Sequence, residues 1–379
     1  MRTSEVALCL LLSAAGLVAP AGQAGRAEWT VARPDYVWSF PRDHWRHPGY
    51  RLEWWYFTGH LTTEEVPQRE FGYQFTLFRI GLGPTPPALD SSWSASELLM
   101  GHAAITDKHE KRHVFSEVLY RASGLLAGFN DHPQAEIAWS RAPVGTDGRW
   151  RLGWNGEAFD FQMSDTGRGI AFELTTRPLK PLVFQGPNGF SRKSLAAGAA
   201  SQYYSMTRLE TRGTLSFDGK RYDVHGSSWM DQEFSTSHLA EQQVGWDWFS
   251  LQLDDGRELM LYVMRRADGT IDHGRGTLVT VGGSPIWLEP SRWDLATTAD
   301  WTSRESGARY PAGWTIELPE FDIAVDVRPD VADQENVGRL AGGLYYWEGV
   351  VTVRDRDGAR VGRGYVELTG YGDGNRPPV

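Results

Sequence analysis

The residues of this chain best suited to chemistry fall between positions 222 and 264. Read as a strand, 222–234 puts Asp223, His225, Ser227, Trp229, Asp231 and Glu233 on one face and Tyr222, Val224, Gly226, Ser228, Met230 and Phe234 on the other, because alternate residues of a strand point the same way. The next strand, 246–253, sets Asp247 beside Phe249, Leu251 and Leu253. A carboxylate on an apolar face is either paired with a buried partner or turned toward a cavity that uses it. Carboxyls crowded into an apolar cavity drive at least one pKa upward, so one donates a proton while another accepts it. Those two roles suit addition of water across a double bond, its reversal, or isomerisation and cyclisation of an apolar molecule. The same face of Asp231 and Glu233 reads equally well as a plain solvated face.

Other motifs are weaker. His109-Glu110-Lys111-Arg112-His113 matches the metalloprotease string HExxH, but that chemistry needs a helix that stacks both imidazoles on one face. Here the string joins two alternating strands, which predicts a solvated hairpin tip and no metal site. No nucleophile elbow, phosphate loop or dinucleotide fingerprint is present. His60 and His102 sit among apolar neighbours, where satisfied core histidines are the ordinary expectation.

The elements that must carry these groups read as strands almost throughout. Alternating runs at 51–61, 71–80, 98–107, 113–120, 150–154, 159–164, 170–176, 203–209 and 213–217 precede the 222–234 strand. Others follow at 246–253, 258–266, 277–281, 287–288, 313–318, 322–327, 345–354 and 360–370. Asn155-Gly156 and Asp218-Gly219 mark tight hairpins. Only 237–243 and 331–340 suggest short helices. A faint echo links 55–58 with 248–251. The expectation is an all-β chain of two tandem antiparallel meanders, each a closed or nearly closed barrel able to enclose an apolar ligand. The expected division is a signal peptide at 1–24, an arm at 25–50, a first barrel domain at 51–235 and a second at 236–379. The Pro- and Ser-rich loop 81–96 is placed over a barrel mouth.

Composition limits the functions available. With 48 acidic against 38 basic residues the formal net charge is −10, which argues against nucleic acid as a partner. The 17 Trp, 14 Tyr and 16 Phe suit pleated cores and also pockets for bulky apolar ligands. Arg2, an apolar run over 6–18 and small residues up to Ala24 read as a Sec-type leader, too short to span a bilayer permanently. This predicts a periplasmic or extracellular protein that is not integral to the membrane. The single cysteine, Cys9, falls within that leader, so neither disulfides nor a thiol nucleophile are expected in the mature chain.

An ordered set of motifs carries a family resemblance: Glu53-Trp54-Trp55-Tyr56-Phe57-Thr58-Gly59, Gly101-His102-Ala103, Gly189-Phe190-Ser191-Arg192-Lys193, Tyr203-Tyr204-Ser205-Met206-Thr207-Arg208, Trp229-Met230-Asp231 and Gly245-Trp246-Asp247-Trp248. From about 51 to 371 the chain resembles the AttH and carotenoid 1,2-hydratase (hydroxyneurosporene synthase) family. The resemblance implies two lipocalin-like barrels with a site near their junction. It also implies an activity among hydratases or cyclases, and for exported bacterial relatives an association with ABC-transporter components. Gln232, Phe234 and Met264 stand where the carotenoid hydratases carry His, Trp and Asp, while Tyr262 keeps their Tyr. The candidate catalytic groups are therefore Asp231, Asp247, Glu233 and Tyr262, with Trp229, Trp246, Trp248, His102, Trp55 and Tyr204 shaping the pocket and no cofactor or metal required. One reading is a hydratase-like carbon–oxygen lyase or a cofactor-free isomerase or cyclase acting on a terpenoid- or lipid-like molecule. A second is a binding or envelope-transport accessory protein in which Asp247 is structural, and a third is a secreted hydrolase.

Overall fold

The computed structural model describes residues 28–377 apart from 86–90, 92, 197, 238, 341 and 373. The expected leader lies outside the described residues, as does the middle of the 81–96 loop. Among the described residues the chain is almost entirely antiparallel strand, arranged in a 13-stranded and a 10-stranded sheet. The first sheet runs from Leu52 to Ser235 and the second from Gln243 to Leu368.

The first sheet curls into a nearly closed barrel, its Arg112–Arg121 edge lying against Ala127–Phe129 and Glu136–Arg141 at the other edge. Closing the sheet in this way removes free backbone edges. Its interior is aromatic: Phe75 stacks on Phe161 at 5.1 Å, with Phe57, Trp150 and Phe172 around them. Each such ring contributes about 1.5–3 kcal/mol by leaving water. From the described chain before Leu52, Trp45 reaches the barrel core. Its base is tied by a buried ion network in which Arg79 meets Glu53 at 3.1 Å and Glu97 at 2.9 Å.

The second sheet is also strongly curved and wraps a separate core around Phe249, Leu261, Trp314, Trp347 and Val366. The two sheets meet through outward faces of their central strands, Leu52–Thr63, Glu70–Gly81, Ala200–Phe217 and Lys220–Ser235 against Gln243–Leu253, Glu258–Arg266, Tyr345–Arg354 and Arg360–Leu368. Polar bonds stitch this seam: Gln252 donates to Thr207 O at 2.8 Å and Ser228 O at 2.9 Å, and His60 lies 3.0 Å from Gly364 O. The approach is close enough that a Cβ on Gly72 would meet Val350 at 2.0 Å.

Two short helices expected from sequence are absent. The described residues of 237–242 form bends, turns and irregular chain, Gln243 opens the next strand, and within 331–340 the segment Glu335–Val337 is a strand paired with Tyr345–Trp347. Gln334 fixes that segment: its side chain bonds both the Val350 N–H and carbonyl, and its own carbonyl, which a helix would have used internally, accepts from the Glu348 N–H at 3.1 Å. The Asp218-Gly219 hairpin is as expected, with both residues left-handed at φ 51° and 76°, the conformation a two-residue turn needs.

Candidate functional site

A slot opens between the two sheets, and strand alternation explains which residues enter it. Along Leu52–Thr63, Trp55 and Phe57 enter the first barrel's core while Trp54 and Tyr56 face the second sheet. Along Lys220–Ser235, Tyr222, Val224 and Met230 face the core while Trp229, Asp231 and Glu233 face outward. In the second sheet Leu261 and Val263 face its core, whereas Met260, Tyr262 and Met264 face the seam. Register aligns the chemistry. Tyr56 pairs with Asp231 and Asp231 with Ser205, while opposite them Tyr262 pairs with Trp248, Trp248 with Glu367 and Glu367 with Glu348. The space is about 700 Å³ with its open mouth, but only about 80 Å³ admits the centre of a water-sized molecule. It is a narrow, aromatic-walled slot.

Asp231 lies at its floor. One carboxylate oxygen accepts from Trp229 Nε1 at 2.7 Å and from the Ser205 hydroxyl; the other accepts from Tyr203 Oη at 2.6 Å. Trp248 Nε1 donates to that same Tyr203 oxygen at 3.1 Å. Burial pushes the Asp231 pKa up to about 7 despite these neutral donors, because no cation compensates the lost hydration. On the opposite wall Glu367 accepts from Trp246 Nε1 at 2.9 Å, and burial, reinforced by Glu233 and Asp231, raises it to about 7 as well. Glu348, beside Glu367 and one layer behind the wall, is 1% exposed with neither oxygen in a hydrogen bond. Tyr56 is near enough to temper its pKa, but burial and Glu367 still hold it well above the carboxylate range. Glu233 is different: Lys193 Nζ lies 2.6 Å from it, and the Ser201 hydroxyl also donates. Lys193 also rests over Tyr262 at 4.5 Å and Tyr203 at 5.0 Å.

The structure thus brings together Asp231, Glu233, Tyr262, Trp246 and Trp248, with Trp229 holding Asp231. Tyr262 donates to the Arg192 carbonyl at 2.5 Å, so its hydroxyl also fastens the loop that closes the slot. On the other side of Tyr262 lies a second chamber, bordered by Arg192, Met260, Arg275 and Trp287, with about 420 Å³ for water-sized molecules. Four other candidates stand apart. Asp247 shares the inner face of Phe249 and Leu251 and is paired with Arg265 Nε at 2.7 Å and Tyr371 Oη at 2.9 Å. Trp55 is a core residue donating to His44 O at 2.9 Å, and Tyr204 is held between His44 and Gln232. His102 sits behind the wall, 2.8 Å from Tyr346 Oη, and burial lowers its pKa to about 3, leaving it neutral. Gln232 and Phe234 also point away from the slot, Phe234 stacking on His47 at 3.7 Å.

Glu367 and Tyr56 in the slot, and Glu348 behind its wall, are groups that the spacing alone did not single out. Their signal was the alternation of Tyr346, Glu348 and Val350 against Trp347, Val351 and Val353, and of Tyr365 and Glu367 against Val366 and Leu368. The echo between 55–58 and 248–251 is misregistered by one residue. Tyr56, not Trp55, corresponds to Trp248, and the two rings meet edge to face at 5.1 Å; a one-residue slip exchanges the faces of a strand. His109 lies exposed at its hairpin tip, while His113 is engaged by Thr106 and Asn336. Among the described residues no group of His, Cys, Asp and Glu could hold a metal ion, and no helix is long and apolar enough to cross a membrane.

A strongly curved all-β chain with an acidic, aromatic slot between two sheets is lipocalin-like in class. The AttH-like family profile matches residues 31–371, and the chain belongs to that family. The crystal structure of an AttH protein from Nitrosomonas europaea is similar at TM-score 0.78 and 29% identity, over 90% of this chain and 99% of that one. Kievitone hydratase from Nectria haematococca shares the fold at TM-score 0.64 and 12% identity, over 92% and 97% of the two chains. In sequence, the dehydratase asqC of Emericella nidulans is 22% identical over 200 residues, 48% of this chain and 53% of that protein, so the match spans about half the relative's length.

Proposed function

We propose that the chain binds a small, largely apolar molecule in the slot and adds or removes water, or moves a proton, by cofactor-free acid–base catalysis. One observation carries this reading: Asp231 and Glu367 face one aromatic slot, neither meets a cation among the described residues, and burial raises both to about 7. A group with a pKa near the working pH is the most effective donor or acceptor. In the hydration direction, the neutral acid on Asp231 gives its proton to one alkene carbon. Water bonds to the neighbouring carbon, and ionised Glu367 takes the proton that water loses. The sum is addition of one H₂O; proton exchange with solvent resets the two carboxyls. Dehydration is the same path reversed. Tyr262 and the tryptophans shape the slot, and Glu233 with Lys193 forms a charge-balanced wall. The distant dehydratase and hydratase relatives support this class without naming the substrate. The test is mass spectrometry of what co-purifies with the full chain, then turnover of that compound in ¹⁸O-labelled water. Label incorporation that is lost in Asp231→Asn and kept in a folded Trp55→Phe supports the reading, and unchanged turnover in both Asp231→Asn and Glu367→Gln sinks it.

A second reading, a binding or envelope-transport accessory protein, is favoured by one feature: both oxygens of Asp231 already accept protein hydrogen bonds. It predicts tight binding of the same compound with no change in its mass. Under either reading we propose export to the periplasm or beyond, on the strength of the N-terminal leader; fractionation of tagged full-length protein checks it. An ABC-transporter partner belongs only to this second reading.

A further inference from the structure

On the reading that the slot is the ligand site, we propose that its occupant is an organic cation, a protonated or quaternary amine on an apolar body, held between aromatic rings with its charge against Asp231 and Glu367. The first ground is a charge imbalance. Among buried carboxylates elsewhere, Glu53 meets Arg79, Asp107 meets Arg69, Asp247 meets Arg265, and Glu258 meets Lys180 and Arg208, while Glu335 is held by the hydroxyls of Ser303, Ser306 and Tyr310 alone. In the slot Lys193 pairs with Glu233, which leaves Asp231 and Glu367 with neutral donors only among the described residues. Behind them Glu348 has no hydrogen-bond partner on either oxygen. Buried carboxyls left without a counter-charge are costly, and a bound cation removes that cost.

The second ground is the wall. Trp54, Tyr56, Trp246, Trp248, Tyr262 and Tyr346 border the slot. Aromatic faces attract cations through the ring quadrupole, and cages of such rings recognise quaternary ammonium groups. The protein's own use of the same rings points the same way, since Lys193 lies over Tyr203 and Tyr262. A neutral apolar ligand needs the rings but not the carboxyls; a cation needs both.

The pH dependence follows from the groups facing the slot on each strand. Among the described residues they are Tyr56, Tyr203, Asp231, Glu233, Tyr262, Tyr346 and Glu367, with Lys193 beside them and Glu348 behind. The tyrosines stay neutral, their pKa values raised by burial, so Asp231 and Glu367 are the groups that change charge near neutrality. Protons and the ligand cation then compete for the same two carboxyls, and binding weakens as pH falls through about 7.

The test uses benzyltrimethylammonium and its uncharged carbon isostere neopentylbenzene on the full chain, read by tryptophan fluorescence and by calorimetry in two buffers of different ionisation enthalpy. The expected result is at least tenfold tighter binding of the cation at pH 8, proton release on binding, and most of the preference gone at pH 5.5. Glu367→Gln, and independently Asp231→Asn, is expected to reduce the preference severalfold. Equal binding of both probes, lost when Met264→Trp fills the slot, keeps the slot as the ligand site and overturns the cation. Failure of both probes to bind overturns the two readings together.

Discussion

Asp231 and Asp247 look alike in the sequence, each an acid one or two residues after a tryptophan on a strand, and the structure gives them different partners. Asp247 belongs to an inner face and meets the Arg265 guanidinium at 2.7 Å, which itself lies 3.7 Å over the Tyr371 ring. Asp231 belongs to an outer face and meets hydroxyl and indole donors only. The comparison teaches that burial alone does not make a carboxylate reactive. Burial raises both acids, but at Asp247 the Arg265 charge and the Tyr371 hydroxyl pull against it, whereas Asp231 has neutral donors and rises to about 7.

The largest expected effect tests the fastening. Arg265→Leu leaves Asp247 buried without its cation, which is predicted to destabilise the fold by about 3–5 kcal/mol, measured by urea denaturation. Asp231→Asn instead should lower turnover of the identified substrate about 100-fold or more while the denaturation midpoint moves little. If Asp231→Asn unfolds the chain as Arg265→Leu does, the contrast between the two acids collapses. A smaller effect is read in pH. Asp231 and Glu367 titrate near 7 when folded and near 4 when unfolded. The folded state therefore holds more protons between roughly pH 4 and 7, and their contribution to stability falls as pH rises through that window. Thermal melts of the wild type should show that slope, and Asp231→Asn with Glu367→Gln should flatten it. The smallest effect belongs to His109→Ala at the exposed hairpin tip, predicted to change stability by less than about 0.5 kcal/mol and to leave zinc content unchanged by elemental analysis.

Much of the fold was legible, because strand periodicity is local. Alternation alone put Trp229, Asp231 and Glu233 on one face and separated Asp247 with Phe249 on another, as the sheets confirm. The short Glu335–Val337 strand was not legible, since Gln334 and the Tyr345–Arg354 strand impose it from outside. The slot was legible by half. Its first-sheet acids and the Trp246, Trp248 and Tyr262 wall came from strand reading and family motifs, but Glu367 lies 121 residues from the indole that holds it.

The sequence by itself determined an all-β chain, its family and the face on which each acid stands. Those are properties of composition, order and a two-residue period. Only the tertiary structure decided which acid is neutralised and which is not. Charge compensation depends on which side chains neighbouring strands and loops bring alongside: Arg265 and Tyr371 reach Asp247, Lys193 reaches Glu233, and among the described residues no cation pairs with Asp231 or Glu367. Electrostatic energy falls off with distance in space, and distance along the chain carries no record of it.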